Sequence, residues 1–332
     1  MRVVAACTRS ALIALIAMIG AGSHDGSCAG DAFPARPIKL VVPLAAGGGI
    51  DVLARIVAEG MSTDLGQQVV VENRSGGGGR MAAAYVAHSA PDGYTLIFDS
   101  ASSAAVNSVA FHDLPYDPVH DFAPVSLVVR WPLVLLINPS VPARTLPEFI
   151  RLLKADPTKY SYGSSGVGSI IQLATEDFKA IAGVEIAHIP YRGNGPALAD
   201  LLGGRIHMLM GGVRDELGNI GNGSVRALAI SSTVRSPALP DLPTMIEAGV
   251  PGYEFSNWTA VFAPAATPRA VIDRIQSAVA SAVHNPAFQR EFSDLGYDVV
   301  GSTPEELKTF LDQQIAKYAG VVEKARLRLD AQ

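Results

Sequence analysis

From residue 38 onward the chain alternates short, nearly continuous apolar runs with amphipathic stretches of helical period. Residues 38–42 (IKLVV) read as a strand, 51–65 as a helix, 69–71 as a strand, 80–90 as a helix and 94–98 as a strand. Runs that are apolar at successive positions suit strands covered on both faces, and the βαβαβ order implies a parallel sheet. In such a sheet, ligands collect at the C-terminal strand ends.

Two further apolar runs, 125–129 and 133–137, read as two strands joined through Arg130-Trp131-Pro132. Residues 145–155 form a helix, with Thr145 as N-cap, Pro147 in the first turn and Glu148 three residues after the cap. A second α/β set follows: a strand at Tyr160 to Tyr162, a helix over 170–182, a strand over 185–189, a helix over 196–202, and strands over 206–210 and 225–230. A last strand at 258–262 precedes two or three amphipathic helices that have no sheet of their own. The chain is therefore expected to cross back near residues 254–258 and pack these helices on the first domain. This gives a discontinuous domain of residues 33–131 plus 255–332, an inserted domain of residues 132–254, and two connecting strands as the hinge. A chain of 332 residues is long enough for two such cores.

Composition adds a leader. Arg2 and Arg9 flank a basic start, residues 11–19 (ALIALIAMI) are apolar, and Ser27-Cys28-Ala29 is an acceptable cleavage site. Nine apolar residues are too few to span a bilayer, so residues 1–29 read as a secretory signal peptide, with cleavage between about Ala29 and Phe33 and a periplasmic destination. Asp25 stands three places before Cys28, where lipoprotein processing wants a leucine-like residue. Cys7 and Cys28 are the two cysteines of the chain, so the mature protein is expected to lack thiols and disulfides. Removing residues 1–29 takes away Arg2, Arg9 and Asp25, so Lys+Arg falls from 26 to 24, Asp+Glu from 31 to 30, and the net charge from −5 to −6. No basic run or stripe is present, which argues against nucleic acid as a partner.

The chemistry lies in glycine-rich turns between strand and helix. Leu44-Ala45-Ala46-Gly47-Gly48-Gly49 precedes a helix opening near Asp51, and Gly163-Ser164-Ser165-Gly166-Val167-Gly168-Ser169 precedes the helix at Ile170. Such turns expose backbone N–H groups at the positive end of a helix, where carboxylates and phosphates bind. Gly48 and Gly49 are expected to permit close approach and positive φ. A single cluster is equally well explained by close helix–sheet packing, and the loop Gly76-Gly77-Gly78-Gly79 alone reads as a flexible connection. The serines Ser100, Ser102 and Ser103 add hydroxyls at the same sheet edge, and the joint occurrence favours an anion held in a cleft. Arg192, in Tyr191-Arg192-Gly193, suits a carboxylate clamp or an interdomain salt bridge. Trp131 and Trp258 fall where the hinge strands are placed and read as core.

Enzyme signatures are missing. Neither glycine cluster fits G-x-G-x-x-G or a P-loop. Gly163-Ser164-Ser165-Gly166-Val167 departs from G-x-S-x-G at its last position. The seven histidines show no metal-ligand spacing, so neither metal nor cofactor is expected. A secreted esterase using Ser164 or Ser165 remains the alternative from another class.

The strings Pro37-Ile38-Lys39-Leu40-Val41-Val42-Pro43, Gly47-Gly48-Gly49-Ile50-Asp51, Leu65-Gly66-Gln67-Gln68, Glu72-Asn73-Arg74, Pro91-Asp92-Gly93-Tyr94, Leu114-Pro115-Tyr116-Asp117-Pro118, Tyr162-Gly163-Ser164-Ser165-Gly166 and Pro190-Tyr191-Arg192-Gly193 together resemble the Bug family, the extracytoplasmic solute receptors of tripartite tricarboxylate transporters. The resemblance runs from about Phe33 to the C-terminus. It implies an α/β, two-lobed periplasmic binding protein of type II that closes on a small mono-, di- or tricarboxylate. The expected partners are that ligand and transporter permease subunits, or a sensor protein if the receptor signals; a monomer is expected. The implied ligand contacts are Leu44, Ala45, Ala46, Gly47, Gly48, Gly49 and Asp51 at the first turn, with Gly78 and Gly79 beside it. Ser100, Ala101 and Ser102 follow, then Ser164, Ser165, Gly166 and Gly168 at the second turn, with Tyr191, Arg192, Gly193 and Gly211. Three departures stand out. Ile50 replaces a threonine, Arg80-Met81 replaces small or aliphatic residues, and Gly211 replaces an aspartate that could meet an ammonium group. The last argues against an amino-acid ligand.

Overall fold

The computed structural model describes residues 33–325 and Leu327, so the expected signal segment, its cleavage site, Cys7 and Cys28 lie outside the described residues. Every described strand and helix belongs to the compact unit Arg36–Gln332.

Strand β1 (Ile38–Val42) has four of its five side chains fully buried, as an interior parallel strand requires. Helix α1 (Gly49–Leu65) buries Leu53, Ala54, Val57, Ala58, Met61 and Leu65, one stripe at helical spacing, and ends at Gly66 in the left-handed region. Strand β2 (Val69–Asn73), a glycine turn, α2 (Arg80–Ala87) and β3 (Thr95–Ser100) complete the βαβαβ unit, with β1 paired in parallel to both β2 and β3. A π-helical turn, Ser102–Val106, then runs into α3 (Asn107–Ala110).

Strand β4 (Phe122–Ile137) is continuous, where the sequence suggested two strands broken at Arg130-Trp131-Pro132. Residues up to Pro132 pair with β9 (Ser256–Pro264), and Val129 and Arg130 also pair with the two-residue β10 (Asp298–Val299). From Leu133 the partners change to β7 (Met208–Gly212) and β8 (Arg226–Ile230). Pro132 has no N–H to donate, and it falls at the switch between partners, where a missing donor interrupts neither ladder. Just beyond it, Ser231 bonds the strand on both sides: its hydroxyl accepts from Leu133 N–H (2.7 Å) and its N–H donates to Leu133 O (2.8 Å). The Ser231 carbonyl accepts from Phe255 N–H (3.0 Å), so the returning segment is tied to the same point.

The remaining elements are α4 (Leu146–Ala155), β5 (Ser161–Ser164), α5 (Ile170–Ala182), β6 (Ala187–Pro190), α6 (Asn194–Leu202), α7 (Val213–Gly221), α8 (Arg269–Val283), α9 (Pro286–Ser293) and α10 (Pro304–Lys324). Along the sheet the order is β2-β1-β3-β9-β4-β7-β5-β6, parallel at both ends and antiparallel around β4 and β9. The fold is thus mixed α/β, with helices flanking one long sheet. No helix among the described residues is long and apolar enough to cross a membrane.

The C-terminal helices cover the first part of the sheet. Helix α8 lies on α1 and β4, and α10 packs on β4, α3 and α5. At the α1–α8 crossing, a Cβ on Gly60 would sit 2.6 Å from the Ala282 Cβ and 2.9 Å from its Cα. Arg274 locks the same crossing, paired with the Asp64 carboxylate and donating to the Asp64 carbonyl at 2.7 Å. Helix α10 opens with a capping box: Thr303 Oγ1 accepts from Glu306 N–H (3.2 Å) and Glu306 accepts from Thr303 N–H (2.9 Å).

One chemical change should therefore act with opposite signs at two helical positions. Gly60→Ala should destabilise the protein by about 1–3 kcal/mol through overpacking. Gly320→Ala in α10, where a Cβ meets nothing within 4 Å, should stabilise by about 0.5–1 kcal/mol. Urea denaturation of both variants measures this, and equal effects would contradict the packing described.

Candidate functional site

The turn after β1 is held from below by its own side chains. Asp51, 2% exposed in the first turn of α1, accepts from Gly47 N–H at 2.8 Å, from Arg55 Nε at 3.0 Å and from Asn73 Nδ2 at 2.8 Å. The Asn73 amide also donates to the Leu44 carbonyl (3.0 Å), pinning the start of the turn to the end of β2. Burial alone would raise the Asp51 pKa, but the bonds from Arg55, Gly47 and Asn73 outweigh it and hold the carboxyl below its usual value. Leu44, Ala45, Ala46, Gly47, Gly48 and Gly49 form an exposed loop above this support. Of the three glycines only Gly47 has a positive φ (85°); Gly48 has φ −77°, correcting the expectation placed on Gly48 and Gly49. The N-cap residue of α1, Gly48, has no side chain to accept from its first N–H groups.

The second glycine loop and the serines after β3 press against this turn. A Cβ on Gly79 would lie 2.7 Å from the Ser103 Cβ and 3.3 Å from the Pro43 Cβ, so only glycine fits there. Asn107 Nδ2 donates to the Gly78 carbonyl at 3.3 Å. Arg80 donates to Gly77 O (2.6 Å) and lies over the Phe111 ring at 4.4 Å, so it braces the loop. Ser100 and Ala101 are buried. Asp99, 3% exposed, accepts from Ser100 N–H (2.7 Å) and from the Ser103 hydroxyl; burial raises its pKa to about 7 against those bonds.

The turn after β5 is built differently from expectation. Ser164 is fully buried and its hydroxyl faces inward, 2.7 Å from His188 Nε2, while it accepts from Gly166 N–H (3.2 Å) and donates to Gly166 O (3.0 Å). Ser169, not Ser164 or Ser165, caps α5, accepting from Gln172 N–H at 3.3 Å. Gly168 N–H donates to Gln172 Oε1 at 2.8 Å, and Ser165 lies partly exposed. The Tyr191 N–H donates to the Ser164 carbonyl (3.0 Å) and its hydroxyl to Asp200 (2.7 Å). Arg192 is exposed and has no ion-pair partner among the described residues; Gly193 precedes α6.

The structure brings the two sets of turns together at two points. Ser102 Oγ, next to the first set, accepts from Ile170 N–H of α5 at 3.1 Å. Asp215, in the first turn of α7, reaches the start of α1, with Oδ1 3.3 Å from where a Gly49 Cβ would be. Gly211 at the end of β7 is covered by Glu216, whose Cγ is 2.9 Å from where a Gly211 Cβ would be. Glu216 is fully buried, its Oε1 has no hydrogen-bond partner, and burial raises its pKa to about 7. Gly211 and Gly212, where β7 ends, are thus backed by two acids from α7. Neither Asp215 nor Glu216 carried a signal in the sequence. Asn73, Gln172 and His188 were equally silent as site residues. Trp131 stacks on Tyr297 (centroids 5.2 Å apart) and Trp258 donates to the Tyr318 hydroxyl (3.2 Å); both are buried.

A profile of the family described as tripartite tricarboxylate transporter family receptor matches residues 53–327. The chain is 39% identical over 300 residues to Protein BugT of Bordetella pertussis, covering 90% of this chain and 92% of BugT. Among solved structures, R. palustris Rpa4515 with adipate shares 36% identity and a TM-score of 0.84, over 89% of this chain and 98% of that one. The periplasmic binding protein BugD shares 34% identity and a TM-score of 0.82, over 89% and 99%.

The two buried acids set a pH response. With native pKa values near 7 against about 4 unfolded, Asp99 and Glu216 bind more protons in the native state across pH 4–7. Each therefore makes stability fall as pH rises through that window, and its effect is constant above about 7. Asp99→Asn and Glu216→Gln should each remove part of this decline. Urea midpoints of wild type and variants from pH 4.5 to 8 measure it; parallel profiles would show that neither acid titrates there.

Proposed function

The chain belongs to the tripartite tricarboxylate transporter receptor family, and from that premise we propose that it captures a small dicarboxylate in a cleft between two lobes and passes it to the permease subunits of such a transporter. The observation that carries this reading is the meeting of Ser102 with Ile170 and of Gly49 with Asp215. We read these contacts as gathering the starts of α1, α5 and α7 around the ligand. Helix starts of this kind favour a carboxylate through their N–H groups and dipole. The dicarboxylate class is taken from the adipate of the 36% identical neighbour.

The lobes would be residues 33–131 with 255–332, and residues 132–254. They would be joined where β4 changes partners at Pro132 and where the chain returns from Ser231 to Phe255. Bending at these two crossings would open and close the cleft, as in other hinged binding proteins. A secretory leader in residues 1–29 would deliver the receptor to the periplasm.

A second reading has one observation in its favour: Ser164 Oγ lies 2.7 Å from His188 Nε2, a spacing also found in serine hydrolases. Hydrolysis of p-nitrophenyl esters that is lost in Ser164→Ala would establish that reading.

For the receptor, adipate should raise the melting temperature in a concentration-dependent way with no turnover. Calorimetry should then find Ser102→Ala about two- to tenfold weaker, since the Ser102–Ile170 hydrogen bond is lost. Gly47→Val, forced into the left-handed region, should bind more weakly still, whereas Arg192→Ala should bind within about twofold of wild type. Normal binding by the first two variants with loss in the third would replace the backbone cradle by an arginine clamp.

A further inference from the structure

Behind the second glycine turn, four side-chain contacts form a chain whose proton directions can be deduced. Gly168 N–H donates to Gln172 Oε1 (2.8 Å), which fixes the orientation of that amide. Its Nε2 therefore faces His188 Nδ1, at 3.3 Å, and an amide nitrogen can only donate. Nδ1 must then carry the lone pair, and the neutral ring holds its proton on Nε2. That proton points at Ser164 Oγ, 2.7 Å away. Ser164, receiving it together with the Gly166 N–H, gives its own proton to the Gly166 carbonyl (3.0 Å). Both the Gly166 and Gly168 peptide groups are thus held by one relay that starts and ends on the turn.

We propose that His188 is a positioning residue: as the neutral Nε2–H tautomer it holds the Gly166–Gly168 turn in its binding geometry, and its protonation releases the turn. The consequence for ligand rests on the carboxylate reading above; the state of the turn does not.

The imidazole's surroundings keep it neutral. Burial pushes its pKa down to about 4, Glu176 pulls it up, and Lys179 opposes Glu176. The Tyr162 ring stacks on it at 4.8 Å, and the Tyr162 hydroxyl donates to Glu176 (2.6 Å), which is itself paired with Lys179 (2.8 Å). A second proton, on Nδ1, would meet the Gln172 NH2 group donor to donor. Turning the amide to relieve this would set its NH2 against Gly168 N–H and break that bond. With a native pKa below the unfolded value near 6.5, His188 contributes stability above pH 6.5 that is lost as pH falls toward 4.

The same directions run opposite to those of a nucleophilic serine, which needs a lone pair on Nε2 to receive its proton and a carboxylate to accept from Nδ1–H. Gln172→Glu supplies that carboxylate and should reverse the relay. Long-range 1H–15N NMR of the ligand-free protein should show wild-type His188 as the neutral Nε2–H form from pH 8 to below 5. In Gln172→Glu, Nδ1 should be protonated at pH 7 and the ring midpoint raised by about one to three units. Ser164 then turns its proton from the Gly166 carbonyl to Nε2, so exchange of the Gly166 amide should be about tenfold faster, whereas Gly168 N–H keeps a carboxylate acceptor and should exchange no faster. Adipate should bind the variant about five- to tenfold more weakly at pH 7, the loss of about one hydrogen bond. His188→Gln, whose amide can supply the Nε2-side donor but cannot be protonated, should keep its amide protection as pH falls toward 4, where wild-type protection is lost. An Nδ1–H tautomer in the wild type overturns the proposal. So does a reversed ring in Gln172→Glu with unchanged exchange at Gly166. Absence of adipate binding in every protein, wild type included, would strike the carboxylate reading alone, because tautomer and exchange decide the present one. Should Gln172→Glu fail to fold, the wild-type tautomer and the His188→Gln exchange profile decide it.

Discussion

Strand β4 is one unbroken piece of backbone shared by two sets of hydrogen-bond partners, and the change between them falls at a proline. Almost everything else follows from this constraint. Because the strand is continuous, the β1–β2–β3 unit and the β5–β6–β7 unit are held in one sheet, with their parallel strands at opposite ends. Because Pro132 donates nothing, neither set of partners loses a bond at the changeover. Ser231 then draws the returning chain to the same place, so the two crossings lie side by side.

The polar groups around the turns fall into two classes with opposite pH behaviour. Asp51 is buried yet held ionised by three donors, and it acts as an internal counter-anion that shapes the first turn. Asp99 and Glu216 are buried with fewer donors, and burial pushes both carboxyls up to about 7. His188 is kept neutral by the same kind of burial, but its charged form carries the extra proton. Acidification therefore favours the native state through the two acids and disfavours it through the imidazole. Local pairing, not net charge, decides which side of neutrality each part of the site tolerates.

Much of the fold was legible because the elements involved are locally patterned. The apolar run of β1 and the stripe of α5 were read with their observed limits, and α1 to within two residues at its start. Helix α7 was missed because only Val213 and Glu216 of its nine residues are buried, which leaves no apolar period to detect. The π-helical turn was missed because its run of small residues is buried almost throughout. Pro132 read as a break because a sequence shows the missing donor but not that no donor is needed there. The glycine turns were recognisable as contiguous strings. The direction of the Ser164 hydroxyl was not, since it depends on His188, 24 residues away, and on Gln172 beyond it. Glu216 covers Gly211 through a helix the sequence did not announce.

The place of β9 between β3 and β4 has a consequence for the order in which the chain can assemble. Residues 256–264 supply the strand that joins β3 to β4, yet they follow β3 by more than 150 residues. A growing chain that has reached only Gly252 holds β3 and β4 with no strand between them and α1 with no α8 to cover it. The first part of the sheet therefore has a vacant centre until nearly the whole polypeptide is present. Pairings of such long range close large loops before they are rewarded, which slows folding. The topology thus leaves this part of the sheet incomplete until the last quarter of the chain supplies its keystone.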